Sequence, residues 1–192
     1  MQTEITKKLF TVDEFYSMFD AGILDRESRL ELIEGEIFEM SGPGPLHVAC
    51  VNRATSVFAP ALAGQAIVSV QNPLRLSRYT EPQPDIVLLK PREDFYASER
   101  FAPEDTFMVI EVSDTSLLHD LNRKLPLYAR AGVPEVWIED LQGGKILVYR
   151  DRIEENYGTS LVFYRGNSIT PAAFPGIAIR VDDLLGSELK ER

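Results

Sequence analysis

The run FMVIEVSD, Phe107–Asp114, constrains this chain more than any other stretch. Phe107, Met108, Val109, Ile110 and Val112 are apolar, and the residues are strongly β-prone. A short continuous run of this kind suits a strand buried on both faces. Glu111 nevertheless sits inside it. An ionised carboxylate without a partner in such a place costs several kcal/mol or more. The fold must therefore give that acid a counter-charge, and the rest of the sequence can be searched for one.

The elements around this strand follow from periodicity and turn residues. Thr11 and Glu14 form a capping-box pattern that opens a helix, TVDEFYSMFDAG, closed by Gly22. RLELIEGEIFEMS alternates around Glu34-Gly35 and reads as a β-hairpin. A helix is expected from about Leu46 to Leu62, with Pro60 disturbing its end. AIVSV and PLRLS read as strands around Gln71-Asn72, and PDIVLL as another. After the 107–114 strand, SLLHDLNRKLPLYARAG reads as a helix ending at Gly132, kinked or beginning near Pro126. EVWIED and KILVYR are strands joined at Gly143-Gly144, and SLVFY and GIAIRV are further β-like pieces before a VDDLLG turn. This order predicts an α/β (α+β) fold with a central mixed β-sheet flanked by helices, preceded by an N-terminal helix and β-hairpin.

Length and charge bound the function. A chain of 192 residues suits one domain, 1–192, able to bury about 70% of its unfolded surface. Cys50 is the only cysteine, so an intrachain disulfide and a cysteine-rich zinc site are excluded. A reducing, cytoplasmic setting fits this, as does MQTEITKKLF, which lacks an apolar leader core. No stretch approaches the length of an apolar membrane span, so no membrane partner is expected. The formal net charge of −10 opposes non-specific nucleic-acid binding and leaves room for acids gathered around a cation.

Asp85 shares the peculiarity of Glu111, because it opens an apolar strand. If the two strands are neighbours, both carboxylates converge, and Mg²⁺, which prefers oxygen ligands, would neutralise them. The Val112 carbonyl could add a further oxygen. The plain reading stands beside this one: Asp85 caps a turn and Glu111 pairs with an arginine at a strand end. Asp120, Lys124 and Tyr128 are four apart, which puts them on one helix face. Lys124 then either points back at the carboxylates or forms an exposed pair with Asp120.

LELIEGEIFEMSGPGPLH, PDIVLL, FMVIEVSDTSLLHDLNRKLPLYARAGVPEVWIED and FPGIAIRVDDLLG together resemble the Uma-two (restriction endonuclease) family of the PD-(D/E)xK nuclease superfamily. The resemblance runs from about Phe10 to Leu185. It implies a restriction-endonuclease-like sheet and a Mg²⁺- or Mn²⁺-dependent endonuclease that hydrolyses DNA phosphodiesters, leaving a 5′-phosphate. Asp85 and Glu111 match the two acids of the superfamily motif and would be catalytic metal ligands, with Val112 and Glu31 assisting. The usual lysine position holds Ser113, and Lys124 matches the family's displaced lysine. Asp120, Tyr128 and His47 match positions that would support these ligands, and a capping role for His47 remains open. Arg75, Arg78, Arg123 and Arg130 are candidates for phosphate contacts with DNA. A homodimer is implied because many superfamily members cut two strands as dimers. Two other classes compete: a non-catalytic module that keeps the nuclease fold, and a metal-dependent hydrolase of a small phosphodiester.

Overall fold

The expected N-terminal helix and hairpin form and pack on each other in a computed structural model that describes residues 5–186. Residues 1–4, part of the stretch read for a leader, lie outside the described residues. Helix α1 (Val12–Asp20) opens with the predicted capping box. The Glu14 amide donates to the Thr11 hydroxyl at 3.1 Å, and the Thr11 amide donates to the Glu14 carboxylate at 2.8 Å. Two otherwise orphaned donors are thereby satisfied. Strands β1 (Leu30–Ile33) and β2 (Glu36–Glu39) pair antiparallel. Their turn residues, Glu34 and Gly35, both take left-handed φ angles of 51° and 79°, matching the twist of a two-residue hairpin. Leu32 packs with Val12 and Phe15, fastening the hairpin to α1.

Helix α2 (Pro45–Ala61) falls where periodicity places it, with Pro60 confined to its last turn. It leads into a six-stranded sheet of order β3-β4-β5-β6-β7-β8. The strands are β3 (Ile67–Val70), β4 (Ile86–Leu89), β5 (Thr106–Ser113), β6 (Val136–Asp140), β7 (Lys145–Ile153) and β8 (Asn156–Tyr164). Only β5 and β6 run parallel; the other neighbours are antiparallel. The sheet is therefore mixed, as expected.

PLRLS, expected as a strand, is irregular. Gln71 at φ 51° turns the chain, and Pro73 has no amide to give a ladder. Leu74 is still buried, and its amide donates to the Pro82 carbonyl.

The sheet buries both faces, which explains why β4 and β5 carry no polar alternation. On one face Ile86, Met108, Ile110 and Trp137 pack against Phe58 of α2. On the other, Val87, Val109 and Ile138 pack with Tyr128 and Val133. The buried Glu135 carboxylate accepts from the Trp137 indole and the Ala172 amide, both at 2.7 Å. This acid at the start of the EVWIED stretch therefore ties the sheet to the C-terminal segment.

The connection from β5 to β6 departs from a single regular helix. It comprises α3 (Leu117–His119), a π-helical turn (Asp120–Lys124) and α4 (Leu125–Ala131), ended by Gly132 at φ 100°. Pro126 lies in the first turn of α4, where the helical backbone continues directly from the π turn and the proline has no amide to donate back into it. The C-terminal part also differs from expectation. GIAIRV contributes only the two residues of β10 (Ile179–Arg180), paired with β9 (Ser168–Ile169). VDDLL is a helical turn, α5 (Val181–Leu185), because Leu184 and Leu185 must bury against the same core as Phe58.

Candidate active site

The site assembles at one end of β4 and β5. The antiparallel register Ile86↔Ile110 continues to bring Asp85 beside Glu111. Strand alternation then puts both carboxylates on the face of Val87 and Val109. Both line one cavity of about 90 Å³. Asp85 is fixed by three donors. The Val112 amide reaches Oδ2 at 2.9 Å, the Gln71 side chain reaches Oδ1 at 3.3 Å, and His47 Nε2 lies 3.1 Å away. Burial pushes the Asp85 carboxyl up, but His47, the Val112 amide and Gln71 outweigh it and hold the group below its ordinary value.

Lys124 supplies the counter-charge that Glu111 requires. The π turn brings its buried ammonium 2.9 Å from Glu31 Oε1, 3.3 Å from Glu111 Oε1 and 3.9 Å from Asp120 Oδ1. The exposed-pair reading is thus replaced: Asp120 and Lys124 are both buried. Tyr128, one turn further on, donates its hydroxyl to Glu111 Oε1 at 2.5 Å. Ser113 and Ser116 donate to Asp120 Oδ2 at 2.7 and 2.6 Å. Ser113 therefore orients an acid that faces Lys124. The hairpin delivers Glu31, whose Oε1 also accepts from the Gln83 amide at 2.9 Å.

The electrostatics show a surplus of acid. Burial drives the Glu111 carboxyl well above its ordinary pKa; Lys124 opposes this, while Asp120, Asp85 and Glu31 add to it. Burial lowers the Lys124 ammonium, but Glu111, Glu31 and Asp120 outweigh it and hold the group above its ordinary value. Lys124 therefore stays charged. Burial and Glu111 raise the Tyr128 phenol in the same way, so it remains a donor.

These residues suit a hard cation. The donors are oxygens, the carboxylates outnumber the nearby cations, and Glu31 Oε2 is buried without a hydrogen-bond partner. Among the described residues, no three His, Cys, Asp or Glu side chains form a ready-made metal centre. Mg²⁺ does not demand one, because it binds through one or two carboxylates and keeps several waters.

Of the eight residues that the resemblance and the strand pattern assign to the site, Asp85, Glu111, Val112, Glu31, Asp120, Lys124 and His47 line one cavity, whereas Tyr128 does not line it and reaches it only through its hydrogen bond to Glu111. The four arginines named as candidates for phosphate contacts lie outside this cavity. Arg75 pairs with Asp13, Arg123 with Glu34, and Arg130 with Glu34 and Glu155, while Arg78 lies over the Tyr79 ring. Reasoning from sequence missed Arg29, Gln71 and Gln83. Arg29 was recoverable, since it lies two residues before Glu31 in an alternating strand. Gln71 and Gln83 gave no local signal.

A family model described as "Uma2: Putative restriction endonuclease" matches residues 12–182. No curated protein matches significantly. Among solved structures, a "putative nuclease belonging to DUF820" from Anabaena variabilis ATCC 29413 superposes with a TM-score of 0.71. The match covers 92% of this chain and 97% of that one at 19% identity, a likeness that carries the fold.

Proposed function

Since the chain belongs to the Uma2 restriction-endonuclease family, we propose that it is a Mg²⁺- or Mn²⁺-dependent endonuclease acting on DNA phosphodiesters. The observation that carries this reading is the acid surplus around Lys124, with Asp85 and Glu111 facing one cavity. Asp85, Glu111 and the Val112 carbonyl would hold the metal, with Glu31 Oε2 as the further free oxygen. Bound there, the metal supplies Lewis acidity toward a phosphoryl oxygen and a more acidic water.

The protein's own residues do the rest. His47, Gln71 and the Val112 amide fix the Asp85 carboxylate before any ligand arrives. Tyr128 holds Glu111 by its Oε1 atom. Lys124, charged at neutral pH, is unsuited to take a proton. It orients the attacking water and offsets charge that grows on the phosphate in the transition state.

A small phosphodiester is a second substrate reading. It is favoured by the pairing of Arg75, Arg123 and Arg130 with acids, which leaves these arginines without a basic groove. Cleavage of plasmid, single-stranded DNA and a dinucleotide, with Mg²⁺ or Mn²⁺, separates the readings. Wild type should cut DNA, while Asp85→Ala and Glu111→Ala should be inactive. Lys124→Ala should lose about 10²–10³-fold in turnover, the usual cost of one preorganised donor. Turnover of the dinucleotide alone would select the second reading. Equal activity in all four proteins would reveal a contaminant, and inactivity without metal binding would favour a non-catalytic module.

A further inference from the structure

We propose that Arg29 is the phosphate-binding cation of the pocket and contacts the phosphodiester of the substrate; this rests on the nuclease reading above.

The hairpin ladder runs one pair beyond its strands, since the Met40 amide donates to the Arg29 carbonyl at 2.8 Å. Alternation then places Arg29 on the face of Glu31. Leu30 and Leu32, between and beyond them, pack toward α1 instead. Arg29 accordingly lines the cavity together with the two other basic side chains there, His47 and Lys124.

Those two are committed. Lys124 faces three carboxylates, and His47 faces Asp85. Arg29 is not: its one side-chain hydrogen bond runs to the Ser41 carbonyl at 3.4 Å, a long bond to a neutral acceptor. It makes no ion pair among the described residues. Arg26, Arg75, Arg92, Arg100, Arg123 and Arg130, by contrast, each meet a carboxylate, while Arg53, Arg78, Arg150, Arg152 and Arg165, which also lack an ion pair among the described residues, do not line the cavity. A guanidinium left uncommitted beside Glu31, Asp85, Glu111, Asp114 and Asp120 is conspicuous in so acidic a chain.

Its chemistry suits a phosphate. The fork carries five N–H donors, and two can meet phosphate oxygens side by side. Access is open on the adjoining wall, where a Cβ added to Gly42 would meet nothing within 4 Å. The need is also physical. The acids that hold a metal repel an approaching phosphodiester, so a cation not already neutralised lowers that barrier.

The test is binding of a short fluorescent DNA duplex in Ca²⁺ at several salt concentrations, with cleavage measured separately in Mg²⁺. Arg29→Ala should weaken binding about tenfold and take about 0.9 from the slope of log K against log salt, the loss of one phosphate contact. Arg29→Lys should restore the slope while regaining only part of the affinity. Arg26→Ala, which removes the same charge from an exposed pair with Asp20, should change little. Melting temperatures near that of wild type would show that the variants fold. An Arg29→Ala variant with wild-type affinity and slope overturns the assignment, as does an equal loss in Arg26→Ala. If wild type binds without cutting and Arg29→Ala binds more weakly, the hydrolytic reading fails and the contact stands. Absence of both binding and cutting overturns both.

Discussion

Glu111 and Glu139 are buried acids on neighbouring strands with different surroundings. Glu111 has Lys124 and Tyr128. Glu139 lies one strand over, opposite Val112 in the parallel ladder, and neither of its oxygens has a hydrogen-bond partner. Burial pushes its carboxyl up to about 8 from an ordinary 4.5, with Asp85 adding to the rise. The folded chain thus holds a proton that the unfolded chain releases above about pH 4.5. Stability is lost as pH rises from there toward about 8, and the penalty is constant beyond. Glu139→Met, similar in volume, should therefore raise the melting temperature, little near pH 4.5 and most above pH 8. A pH-independent difference between the two proteins would refute this account. At Lys124 the sign reverses. Lys124→Met leaves buried carboxylates without their cation and should cost about 3 kcal/mol or more in chemical denaturation without metal. The oddity of Glu111 was legible because it breaks an apolar run. Glu139 stands at a strand end followed by Asp140, where an acid looks ordinary until the sheet is assembled.

The β5–β6 connection shows where local pattern stops being informative. Four-residue spacing correctly set Asp120, Lys124 and Tyr128 on one side, and Gly132 correctly ended the helix. Nothing in the local sequence marks the π turn at 120–124, which carries one residue more than a regular α-helical turn. Deleting the exposed Asn122 should convert that turn to regular α-helix. Each residue advances an α-helix by about 100°, so the segments on either side would rotate relative to each other by roughly that amount. Lys124 and Tyr128 could not then both keep their contacts with Glu111. We expect a protein that retains most of its circular dichroism but loses Mn²⁺ binding measured by calorimetry. Unchanged binding would mean that the turn does not set the site geometry. PLRLS and GIAIRV depart from the strands expected of them for a related reason. Their fates depend on the turn at Gln71 and on a core supplied by distant α2, neither of which a short window contains.

At the scale of the whole molecule, the acid surplus extends well beyond the pocket, with a net charge of −10 and an isoelectric point near 4.7. One element stands apart. NYGTSLVFY, the β8 strand at the sheet edge, carries no charged residue and no proline, and it exposes Leu161, Val162 and Tyr164. Edges of this composition ordinarily invite pairing with another chain unless charge or shape prevents it. Light scattering should accordingly rise as pH falls toward 4.7, and Ser160→Lys should suppress the rise. Unaltered scattering in that variant would place the adhesive surface elsewhere. The bare edge strand thus makes colloidal behaviour depend on mutual repulsion between whole molecules. Basic substitutions introduced to strengthen affinity for DNA would erode that repulsion, so gains in binding would come with losses in solubility.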